Sequence, residues 1–202
     1  MNETIEKRLL KRIRGGGRGS VFVPSQFLDL GTRAAIDKAL SRLATEGTIR
    51  RLARGVYDYP KTHPKIGLLS PAPDAIANAI AGRDQTTLQP TGAYAANLLG
   101  LSEQVPARIV YLTDGAARSI RIGKMTIQLR QTTQRNMATA GRLSGLIIQA
   151  FRYLGKEHIT PGRIATLKKR IPLKERRQLL RDLKLAPVWM HPHFRELAED
   201  EQ

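Results

Sequence analysis

The sequence predicts an α+β protein of two domains, residues 1–62 and 63–202. Three observations predict it. Apolar residues recur at helical spacing through the first 45 residues and again beyond residue 142. Short β-prone runs flank a glycine near residue 55 and fill much of residues 108–131. Between the two regions Pro60, His63 and Pro64 interrupt both periods and read as a linker.

Each element has a local reason. Ile5, Leu9, Leu10 and Ile13 form one apolar stripe, which predicts a helix over residues 3–14. Gly15, Gly16, Gly17 and Gly19 end it. No strand precedes that glycine run and Ser20 follows it without the Lys-Ser/Thr of a phosphate loop, so it reads as a helix-ending turn. Val21, Phe22 and Val23 are extended, and Pro24 starts a short helix that takes in Gln26, Phe27 and Leu28. Asp29, Leu30 and Gly31 turn the chain, and Thr32 stands where an N-cap belongs. Over residues 33–45 the apolar positions Ile36, Ala39, Leu40 and Leu43 commit one face to a core, and Gly47 stops the helix. Residues 48–52 and 56–59 then form a hairpin around Arg54 and Gly55. Helix, short helix, turn, helix and basic hairpin is the order of a winged helix-turn-helix.

The second domain reads as a small mixed α+β domain ending in basic helices. A helix starts near Pro73 with Ala75, Ile76, Ala79 and Ile80 buried, and another spans residues 91–99. Strands follow at 108–113, 119–122 and 124–131, the last with Ile127 and Leu129 alternating with Gln128 and Arg130. Helices over 142–154, 161–170 and 173–183 complete the domain.

Composition narrows the function. The chain has 34 Lys+Arg against 17 Asp+Glu, a net +17, with the excess spread over both halves. Residues 156–184 are densest, with ten basic and three acidic side chains. Such a surplus draws a polyanion. Without cysteine there is no disulfide, thiolate metal site or Cys nucleophile. No apolar run approaches the roughly 20 residues that span a bilayer, and the charged first ten residues are unlike a signal peptide. His191-Pro192-His193, read as extended, would aim both rings one way, but no third ligand lies near; it reads as a surface turn beside Trp189. Gly141 to Gly145 does not make a G-x-S-x-G elbow, and Asp114-Gly115 reads as a turn. No catalytic residue, metal or cofactor is expected.

The basic residues around the second and third predicted elements carry more. In a helix-turn-helix the second helix enters the major groove with its first turns at the base edges. Arg33 is the candidate for a guanine edge, because its planar fork donates twice. Lys38 shares the exposed side, Thr32 and Ser41 suit phosphates, and Arg42 follows in the helix's later half. Arg50, Arg51 and Arg54 cluster at the wing, placed for the backbone or minor groove of double-stranded DNA. Charged residues opposite an apolar stripe also make an ordinary solvated face, and winged helices also serve as protein-interaction modules. Lys168, Lys169, Arg170, Arg176 and Arg177 form a second basic set, open to three readings: an RNA- or DNA-binding surface, a dock for an acidic protein, or solvated helix faces.

The stretch from Ser20 to Pro60 also resembles a known family. Its Val21-Phe22-Val23-Pro24-Ser25-Gln26-Phe27, Ala39-Leu40-Ser41-Arg42-Leu43, Glu46-Gly47-Thr48-Ile49-Arg50-Arg51-Leu52 and Arg54-Gly55-Val56-Tyr57 are similar to the N-terminal winged helix of the AbiEi-like (abortive-infection) antitoxins. These are bacterial transcriptional regulators of type IV toxin–antitoxin pairs. The resemblance implies a cytoplasmic, nucleoid-associated autorepressor that binds inverted repeats in its own promoter, with no membrane association. It implies that the second domain counters a nucleotidyltransferase-type toxin, which such an antitoxin need not touch directly. Carried over by position, Thr32, Arg33, Lys38, Arg50, Arg51 and Arg54 match the family's recognition-helix and wing positions.

Overall fold

Thr4 opens the first helix of the computed structural model, which describes residues 3–199. Its hydroxyl accepts the Lys7 amide at 3.4 Å and satisfies one of the free N–H groups of α1 (Ile5–Gly15). The chain is α+β and falls into two units, Met1–Thr86 and Thr87–Gln202.

In the first unit β1 (Val21–Phe22) leads into a 3₁₀ turn (Pro24–Phe27), then α2 (Arg33–Thr45), β2 (Arg50–Ala53) and β3 (Val56–Asp58). The Thr32 hydroxyl caps α2 by accepting the Ala35 amide at 3.4 Å. The three strands form an antiparallel sheet in the order β1-β3-β2. Arg54 and Gly55 make the tight turn between β2 and β3, and Gly55 takes φ +68°, a conformation that suits glycine. Leu9 and Ile13 of α1, Phe27, and Ile36, Leu40 and Leu43 of α2 meet Phe22, Ile49 and Tyr57 in one core. Phe22 meets Phe27 edge-on at 5.6 Å and stacks on Tyr57 at 6.2 Å. Each such buried side chain contributes about 1.5–3 kcal/mol.

The chain does not run loose after Pro60. β4 (Thr62–His63) pairs with β5 (Gly67–Leu68), and α3 (Pro73–Asp84) lies against β1 and β3. The first unit therefore continues past the 62/63 boundary expected from the prolines, as far as Thr86.

The second unit comprises β6 (Leu88–Thr91), α4 (Gly92–Leu98), β7 (Arg108–Thr113), β8 (Arg118–Ile122), β9 (Met125–Gln131), α5 (Gln134–Met137), α6 (Leu143–Leu154), α7 (Pro161–Arg170), α8 (Leu173–Arg181) and α9 (His191–Ala198). The sheet order is β6-β7-β9-β8, with β7 and β9 parallel and the two outer strands antiparallel to their neighbours. Phe151 of α6 and Phe194 of α9 anchor a core shared with Ile164, Leu167 and Leu179. Gly145 is held tight: a Cβ there would stand 2.3 Å from the Thr139 carbonyl oxygen. Asp182 is buried and triply bonded, accepting from Arg142 at 2.7 Å, Ser144 at 2.5 Å and Gln178 at 3.0 Å.

The His191-Pro192-His193 segment is not extended. It forms the first turn of α9, where residues two apart point about 200° from each other. The His191 ring bonds to the Ala186 carbonyl at 3.2 Å, and His193 sits edge-on to Phe151 at 5.9 Å. Both rings are used in packing.

Candidate nucleic-acid interface

The burial of Ile36, Ala39, Leu40 and Leu43 fixes which way α2 turns its other side chains. At about 100° per residue, Ala34, Lys38, Ser41 and Thr45 fall opposite the buried stripe. Arg33 and Arg42 stand on opposite flanks of that face, roughly 180° from each other. Thr32, Arg33, Lys38, Ser41 and Arg42 are all exposed.

Their electrostatic situations differ. Arg33 donates from Nε to Asp37 at 2.8 Å, one turn on, which leaves both Nη groups for other acceptors. Arg42 faces Glu6 of α1 at 3.7 Å. It shares with Lys38, Thr4 and Glu6 a cleft of about 490 Å³. Lys38 forms no ion pair among the described residues. The Thr32 hydroxyl, already accepting from Ala35, keeps its O–H to donate.

The hairpin divides its arginines. Arg51 and Arg54 are exposed. Arg50, expected as a wing contact, is instead turned to bonds within the unit, with its side chain 27% exposed. Antiparallel register sets it opposite Asp58, whose side chain is 1% exposed. Arg50 donates from Nε to Asp58 at 3.0 Å, from Nη2 to the other oxygen at 2.5 Å, and to the Leu69 carbonyl at 2.9 Å. A buried carboxylate without a cation is costly, so this guanidinium is held as internal support. The pairing depends on the irregularity between Arg51 and Ala53: a regular two-residue turn would set Asp58 opposite Arg51, so spacing alone does not reveal it.

The segment before α2 is also latched. Arg12 of α1 grips Asp29 with two bonds of 2.7 Å and donates to the Gln26 carbonyl at 3.3 Å. That side-chain bonding holds the Asp29 carboxyl below the usual carboxylate range and raises Arg12. The latch ties α1 to the turn from which α2 departs.

The members of the second basic set differ in exposure. Lys169, Arg170 and Arg177 are exposed and Lys168 is half-buried. Arg176 is buried and donates to the Glu199 carbonyl at 2.9 Å. It sits three residues before the core residue Leu179, on the buried stripe of α8, which is why it turns inward. The Arg170 guanidinium lies over Gly100, where a Cβ would meet Nη1 at 1.9 Å.

Among the described residues no group of three His, Asp or Glu side chains could hold a metal ion, and no helix is long and apolar enough to cross a membrane. No curated protein matches the chain. A family model described as "Family of unknown function (DUF6088)" matches residues 8–179, and the chain belongs to that family.

Proposed function

We propose that the first unit is a winged helix-turn-helix that binds duplex DNA, and that the chain is an autorepressor and antitoxin of a type IV toxin–antitoxin pair. The observation that carries the DNA-binding reading is the exposed face of α2, with Arg33, Lys38 and Ser41, in the same unit as a tight β2–β3 turn bearing Arg51 and Arg54. The element order α1-β1-3₁₀-α2-β2-β3 supports it, since a short helix and turn precede α2 and a hairpin follows. In this reading α2 lies in the major groove, Arg33 reads a guanine edge with its two Nη groups, and Arg51 and Arg54 hold the backbone or minor groove. Asp37 steadies the Arg33 fork; an exposed pair of this kind is worth about 0.2–1 kcal/mol, less than the roughly 1–3 kcal/mol of a bidentate base contact. The antitoxin half rests on the resemblance of residues 20–60. In it the second unit opposes a nucleotidyltransferase-type toxin in the cytoplasm, without requiring direct contact.

Arg176 is buried and bonded within the chain, which takes one cation from the alternative RNA surface on α7 and α8. The test is a nuclease footprint of the full chain on the region upstream of its own reading frame, with total RNA as competitor. Protected repeats that survive RNA support the proposal, and Arg33→Glu then erases the site preference. Binding that RNA abolishes, or a footprint unchanged by Arg33→Glu, overturns it. Co-expression with the neighbouring reading frame tests the antitoxin half: rescue from that product's toxicity is expected.

A further inference from the structure

The second unit contains a cationic cleft that the DNA-binding reading does not use. Two adjoining hollows, of about 430 and 400 Å³, share Asn136, Gln149 and Arg152. Arg130 of β9 and Arg152 of α6 line the first hollow, and Arg135 of α5 lines the second. No carboxylate lines either one. None of the three arginines makes an ion pair among the described residues; Arg152 donates only to the Asn136 side-chain oxygen Oδ1, at 3.3 Å.

Gln149 gives the cleft a built floor. Its side chain belongs to a residue only 5% exposed, and its oxygen accepts from the Thr91 hydroxyl at 2.8 Å. With the oxygen taken by Thr91, the amide nitrogen remains the donor end of this lining residue. Three guanidiniums and a buried amide present donors without a neighbouring anion to accept from them, the chemistry of an anion site. Tyr153, beside Arg152 on α6, lines the same hollow and is 53% exposed, so a ring face stands at the rim. The volume is that of a small-molecule site.

We propose that this cleft binds a nucleoside phosphate, with the phosphate held by Arg130, Arg152 and Gln149 and the base laid on Tyr153. The proposal is independent of the function proposed for the first unit. The rival explanation is general attraction of anions to a chain of net charge +17.

Calorimetry of the full chain with AMP, inorganic phosphate and adenosine at 0.15 M salt separates the two. AMP binds and adenosine does not. Arg152→Gln and Arg130→Gln each weaken AMP roughly tenfold or more, the loss expected for one charge-assisted contact. Both side chains are exposed, and an amide spectrum matching the parent shows that the variants fold. Tyr153→Ala weakens AMP and leaves inorganic phosphate unchanged. Arg195→Gln, exposed on α9 and outside the cleft, leaves AMP unchanged. No AMP binding, or an equal loss in Arg195→Gln and Arg152→Gln, overturns the site. AMP binding that ignores Tyr153→Ala overturns the nucleoside.

Discussion

Replacing Arg50 by methionine distinguishes support from contact within the hairpin. The variant leaves Asp58, 1% exposed, without its cation, and deprives the Leu69 carbonyl of a donor. Breaking a fully buried pair from one side costs about 3–5 kcal/mol. The Arg50 side chain is 27% exposed, so water relieves part of the loss, and about 2–4 kcal/mol is expected. For a unit of this size each kcal/mol moves the midpoint by about 4–8 °C, so the first unit should melt roughly 8–32 °C lower. Arg50→Met/Asp58→Leu removes both charges and recovers most of the loss. The assay is thermal unfolding by circular dichroism, paired with fluorescence anisotropy on a duplex at a temperature where the variant is folded. Folded Arg50→Met binds DNA with the parent's salt dependence. A variant that melts like the parent but binds DNA more weakly would refute the internal role of Arg50.

Three further expectations follow from the same geometry. Arg54→Gln weakens every duplex alike and lowers the slope of log K against log salt by about 0.9, measured by anisotropy between low and physiological salt. Gly145→Ala drives a methyl into the Thr139 carbonyl and destabilises the second unit by about 1–3 kcal/mol, read by denaturant unfolding. Asp29, held low by hydrogen bonding to Arg12, contributes stability that is complete above the ordinary carboxylate value and is lost as pH falls through its depressed folded value. Asp114, lowered by accepting the Thr87 amide at 2.8 Å, acts in the same direction. NMR titration of the Asp29 carboxyl should show the depression, and Arg12→Gln should remove its largest cause and reduce it.

Much of the fold was legible because local signals agreed with tertiary ones. The Thr32 cap, the i, i+3, i+4, i+7 stripe and the stop at Gly47 bounded α2, and residues 108–113 formed a strand as their pattern implied. β6 was hidden by Pro90, which reads as a strand breaker. It is tolerated because β6 is an edge strand, where a missing N–H costs no ladder bond on the open side. α9 was hidden by Pro192, harmless in a helix's first turn. The parallel pairing of β7 with β9 across the intervening β8 depends on the whole sheet and leaves no local trace.

The candidate site was legible at the level of faces and less so at the level of partners. Periodicity identified Lys38 and Ser41 as outward-facing, but it could not separate the exposed Arg51 from the internally bonded Arg50 without the strand register. The cleft of Arg130, Arg135 and Arg152 draws on β9, α5 and α6, and no spacing rule links residues brought together only by folding.

The most direct measurement is an NMR titration of the full chain with a duplex from its own upstream region. Amide signals of Lys38, Ser41, Arg51 and Arg54 should move first and saturate together, while those of α7 and α8 stay near their starting positions. Shifts concentrated on α7 and α8, with α2 and the β2–β3 turn unmoved, would contradict the assignment of duplex binding to the first unit.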